Sequence, residues 1–168
     1  IVIAKPQVTL AMAGDNSRIT PMLITAESST VDIINNTFES SGCEVILLQT
    51  AFKDMPNLDK NDYRYIGYME IENESKIIGM YDYFAASNEK TVKMKRETLP
   101  LFNEAMESFY VGDFQKAMEL YSKVLDIDSS DGIARWYLFR CYEYENKGDS
   151  FDVSYALIKK KNFKGFDR

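Results

Sequence analysis

Carboxylates are the residues in this chain best equipped for chemistry. One group, Asp126-x-Asp128-x-x-Asp131-Gly132, invites a calcium reading, and Glu70, Glu72 and Glu74 alternate along a second stretch. An EF-hand loop needs ligands at its first, third and fifth positions, glycine at the sixth and glutamate at the twelfth. Counted from Asp126, Ser130, Asp131 and Tyr137 fill the last three of those places, so a helix-ending turn followed by an N-cap is the better account. The alternating glutamates read as a solvated strand face. Lys90, Lys93, Lys95 and Arg96 form a modest basic cluster, whose default is a solvated helix face. Cys43 and Cys141 lie in mostly apolar surroundings and read as buried free thiols rather than a disulfide. The chain has no histidine, which removes His-based acid/base chemistry, triads and His metal sites together. No glycine-rich phosphate loop is present. No catalytic, cofactor-binding or metal-ligating residue is therefore assigned, and no cofactor is expected.

These side chains hang on elements that the pattern predicts in order. Ile1–Ala4 and Val8–Ala13 read as short strands joined across Lys5-Pro6-Gln7, and Met22–Thr25 as a third. Ser28–Ser41 carries Val31, Ile34 and Phe38 on one helical face and ends at Gly42. Val45–Leu48 is a continuous apolar run, as a buried central strand requires. Ala51–Met55 is a helical turn stopped by Pro56. Tyr63–Glu72 alternates, with Tyr63, Tyr65, Met69 and Ile71 at even spacing, and Lys76–Phe84 returns as its hairpin partner. Ala85–Glu89 is a linker, Lys90–Glu97 a charged helix, and Thr98 and Pro100 suit the start of another. Phe151–Lys161 has the makings of one more amphipathic helix.

The stretch Leu101–Tyr144 is the most legible. Apolar residues recur at helical spacing on both sides of Gly112-Asp113 and again after Gly132. Leu101, Ala105, Gly112, Phe114, Ala117, Tyr121 and Leu125 fall on the signature positions of a tetratricopeptide (TPR) repeat, which this stretch resembles. Leu138 and Tyr142 fit the first helix of a second repeat. Ser108 stands where an aromatic is usual, and Ser129 replaces the usual proline.

In the first half, Val8-Thr9-Leu10 precedes Gly14-Asp15 and Arg18, and Gly42 with Val45-Ile46-Leu47-Leu48, Arg64-Tyr65-Ile66-Gly67 and Ile78-Gly79-Met80-Tyr81-Asp82 follow in order. The first group is similar to the strand and glycine turn, and the other three to strands, of the C-terminal half of a class III nucleotide cyclase homology domain, which this half resembles. The resemblance implies a partial, ferredoxin-like mixed sheet over residues 1–85, with a TPR-like segment and tail over 86–168; the class is α+β. It also implies a bacterial signalling protein. The family's metal-binding aspartates belong to the half that precedes this stretch. Its asparagine and arginine, one helical turn apart, fall on Ser29 and Ile33, or on Asp32 and Asn36 in a second register, and neither register supplies the pair. Its phosphate lysine falls in the acidic turn Glu72-Asn73-Glu74.

Two functions follow as expectations. The first is a non-catalytic regulatory or protein-interaction segment, acting through TPR contacts or dimerisation. The alternative is part of an active cyclase whose metal-binding half lies outside this chain. TPR geometry places Phe102, Met106 and Phe109 beside Trp136, Arg140 and Tyr144, and aromatic residues with arginine suit a contact surface. Two roles stay open to these six: a partner surface, or cover for a neighbouring helix or the sheet. Val45, Leu47, Ile66 and Ile78 need cover, and the short linker favours a homodimer over helices folding back. The chain's 168 residues carry a net charge of −6 without a large basic patch, which disfavours nucleic acid. It has no apolar run of about 18 residues and no signal peptide. A cytoplasmic location without membrane contact is expected for this stretch, with room for a tether elsewhere.

Overall fold

A computed structural model describes residues 1–4, 8–14, 19–25, 28–39, 41–71, 76–147 and 158–159. The fold is α+β. Its elements are β1 (Val2–Ile3), β2 (Val8–Gly14), β3 (Ile19–Thr25), α1 (Ser28–Phe38), β4 (Ile46–Leu48), α2 (Gln49–Phe52), β5 (Tyr63–Ile71), β6 (Lys76–Tyr83), α3 (Glu89–Tyr110), α4 (Phe114–Ile127), α5 (Gly132–Lys147) and β7 (Ile158–Lys159). A mixed sheet runs β1-β4-β6-β5-β7, with β1 parallel to β4, β6 antiparallel to both β4 and β5, and β7 parallel to β5. β2 pairs with β3 in a separate two-stranded sheet rather than with β1. The apolar run Ile46–Leu48 is fully buried, as its place between β1 and β6 demands.

The β5–β6 hairpin departs from strict alternation. Its register shifts between Tyr65 and Gly67, a bulge that sends Arg64, Gly67 and Met69 to one face although they do not share one parity. Gly67 takes a φ of 111°, open to glycine at little cost. Met69 is buried while Tyr63 and Tyr65, expected on the same face, lie across the sheet from it. There Phe52 of α2 stacks on Tyr81 at 4.0 Å, and Tyr63 and Tyr65 meet Tyr81 edge-on.

Helix α3 differs from what the sequence predicts. Glu89–Tyr110 is one helix, not two, and Pro100 sits inside it. Asn88 supplies the N-cap, its side chain accepting from the Thr91 amide at 3.0 Å. A mid-helix proline frees the carbonyl one turn before it; here Pro100 and Arg96 both face solvent, where water can satisfy that group. The opposite face buries Leu99, Phe102, Ala105, Met106 and Phe109. Ala105 and Ala117 are wholly buried where α3 and α4 meet, Gly112 turns the chain at a φ of 83°, and Asp113 caps α4 through the Lys116 amide. The predicted helix Phe151–Lys161 lies largely outside the described residues; within it, Ile158–Lys159 is strand β7.

One apolar cluster joins both halves: Ile34, Phe38, Ile66 and Ile78 belong to it together with Phe102, Phe109, Tyr121 and Tyr137. The helices α3 to α5 thus cover one face of the sheet within the chain. Val45, Leu47, Ile66 and Ile78, the positions that need cover, are 8%, 1%, 0% and 4% exposed and find it within the chain. Among the described residues, no helix is long and apolar enough to cross a membrane.

Candidate functional site

Four charges are buried together where the sheet meets the helices. Arg64 of β5 and Asp82 of β6 are register partners on the helix-facing side, and Arg64 Nε donates to Asp82 Oδ2 at 3.0 Å. The Arg64 guanidinium also grips Asp131 in a two-pronged pair, Nη1 to Oδ2 at 2.5 Å and Nη2 to Oδ1 at 3.0 Å. Lys95 of α3 donates to Asp82 Oδ2 at 2.5 Å. The guanidinium lies over the Phe102 ring, 4.0 Å from its centre, as a cation–π contact. Asp131 also caps α5, its Oδ1 accepting from the Ala134 amide at 3.1 Å. The other oxygen of Asp82, Oδ1, is buried without a hydrogen-bond partner among the described residues.

The protonation states follow from this packing. Burial works against charge on both groups, but the Arg64 guanidinium outweighs it and holds the Asp131 carboxyl below its ordinary 3.8. Burial likewise opposes charge on Arg64, and Asp131 and then Asp82 more than restore it, raising its pKa. Burial, aided by the Asp82 carboxylate, pushes the Cys43 thiol up to about 12; burial does the same to Cys141. A thiol held protonated in this way is a poor nucleophile.

Beside the cluster lies a cleft of about 290 Å3 whose wall includes Glu39, Glu44, Asp128, Asp131 and Lys95. Carboxylates dominate it, and Lys95 is already bound to Asp82. Asp128 and Asp131 are spent on turn and cap: Asp128 Oδ1 accepts from the Ser130 amide at 3.1 Å and the Ser130 hydroxyl at 2.5 Å. No group of three or more His, Cys, Asp or Glu side chains able to hold a metal occurs among the described residues.

The six residues that the sequence marks for a contact surface divide. Phe102, Met106 and Phe109 are 0%, 4% and 0% exposed, so they cover the core and offer no open surface. Their burial has a plain cause: α3 turns this face to α4, α5 and the sheet. Trp136, Arg140 and Tyr144 form a half-buried row along α5, with Arg140 5.5 Å from the Trp136 ring and 4.8 Å from the Tyr144 ring. Arg140 also pairs with Glu143 at 2.7 Å and donates to the Tyr144 hydroxyl. The outward side of the same helix exposes Phe139 and Tyr142.

The charge pattern puts Lys95 on a solvated basic face, yet it is 3% exposed. Its position on the same helical stripe as Thr98, Leu99 and Phe102 is the signal that places it inward. Nothing local marks Arg64 or Asp82, because their partners lie far along the chain. No family model matches this chain, and neither any curated protein nor any solved structure matches it.

Proposed function

We propose that this chain is a non-catalytic regulatory and protein-interaction segment of a bacterial cyclase-like signalling protein. On this reading a degenerate C-terminal half of a class III cyclase homology domain, residues 1–85, is clamped to a TPR-like array, residues 86–168. One observation carries it: the cations beside the cleft, Arg64 and Lys95, are consumed by Asp82 and Asp131, and the cleft wall is acidic. A nucleoside triphosphate needs uncommitted cations or metal-bound carboxylates around its phosphates. The partner is a protein, met by the row Trp136, Arg140 and Tyr144 and by the exposed rings of Phe139 and Tyr142. Aromatic side chains with arginine contribute strongly to such contacts because they bury large areas at small entropic cost.

Calorimetric titration of the chain with magnesium and ATP or GTP tests this. No heat of binding is expected. A micromolar affinity for either nucleotide would overturn the regulatory reading and favour the chain as part of an active cyclase.

A further inference from the structure

The loop that follows α1 and the start of α5 meet backbone to backbone at Ser41 and Gly132. The Gly132 amide donates to the Ser41 carbonyl at 3.2 Å. A Cβ on Gly132 would lie 2.8 Å from that oxygen, 2.9 Å from Ser41 Cα and 3.0 Å from Ser41 C, so no side chain fits there. Ser41 is buried and tied to α1 in turn: its hydroxyl donates to the Phe38 carbonyl at 2.7 Å and accepts from the Cys43 amide at 3.1 Å. On its other side α5 is fixed to the sheet twice. Asp131 grips Arg64, and the Tyr137 hydroxyl donates to the Ile66 carbonyl at 3.0 Å in the gap left by Gly67.

We infer that α5 and the end of α1 form one mechanical unit, through which the helical array sets the position of the α1–β4 loop. Contacts between side chains can be relaxed by a change of rotamer; a contact between two backbones has no such slack. The loop it positions matters, because Glu39, Cys43 and Glu44 wall both the 290 Å3 cleft and a second cleft of about 430 Å3 on its other side. A displacement of α5 therefore moves the shared wall of two clefts. This extends the regulatory reading, and its test does not involve nucleotide, so the two fail separately.

Amide hydrogen exchange on the full chain tests the joint from both sides. Gly132→Ala forces Ser41 to move. It should speed exchange in the last turn of α1, at Ile34 to Phe38, by about tenfold or more relative to α4. Ser41→Ala removes only a hydroxyl, and should speed exchange in the first turns of α5, at Ile133 to Tyr137, again relative to α4. Reciprocity is required of any true coupling. Effects confined to the substituted element, or spread equally into α4, would overturn the inference. Should Gly132→Ala fail to fold, the Ser41→Ala response in α5 decides alone.

Discussion

Arg64 and Lys95 bring two positive charges into the interior, and Asp82 and Asp131 bring two negative ones. Each would cost several kcal/mol to desolvate alone, so the cluster holds only as a set. Removing one partner strands the others. Asp131→Asn keeps an N-cap for α5, since asparagine caps as well as aspartate, but leaves Arg64 short of a counter-charge. We expect it to cost about 3–5 kcal/mol at neutral pH, measured by urea unfolding. The pH dependence has a definite sign. Asp131 has a folded pKa below its ordinary 3.8, so its stabilisation is complete above that value and is lost as pH falls through the depressed one. The gap between wild type and Asp131→Asn should therefore narrow below pH 3.8. A gap that stayed constant would mean the charge on Asp131 contributes nothing. Little of this is legible in the sequence. Arg64 and Asp131 are 67 residues apart, and Asp131 looks like a cap, which is only half of its role.

Among elements, the helical hairpin is legible because its contacts are local: Ala105 against Ala117, and Gly112-Asp113 between α3 and α4, are all near in sequence. Two elements depart from expectation for nameable reasons. The bulge at Gly67 breaks the period of two, so Tyr63 and Met69 share a parity but not a face. Pro100 looks like the start of a helix because proline is welcome in a first turn. The apolar stripe from Lys95 to Phe109 outweighs its local cost and carries the helix through. That cost remains recoverable. Pro100→Ala restores a hydrogen bond on an exposed face and should raise stability by about 1–3 kcal/mol, seen as a higher urea midpoint. An unchanged or lower midpoint would show that the proline's restraint on the unfolded chain offsets the missing bond.

At the scale of the whole molecule, strands β1 to β6 precede residue 85 and helices α3 to α5 follow it. How the halves meet is not legible in the sequence. The short stretch between β6 and α3 limits fold-back unless Lys90–Glu97 is itself part of the cover, and that segment, the start of α3 with Lys95 buried, makes the return. Lys95 reaches Asp82 from that segment, Arg64 reaches Asp131, and Tyr137 reaches Ile66. The halves therefore share one core. The central claim is that sheet and helices are a single cooperative unit, which is what allows the array to act on the α1–β4 loop. Urea unfolding tests it most directly, followed in one sample by Trp136 fluorescence, the chain's single tryptophan on α5, and by the amide signals of Met80 and Tyr81 on β6. Coincident midpoints and slopes, independent of protein concentration, are expected. Loss of the β6 signals while Trp136 still reports a folded helix would contradict the account.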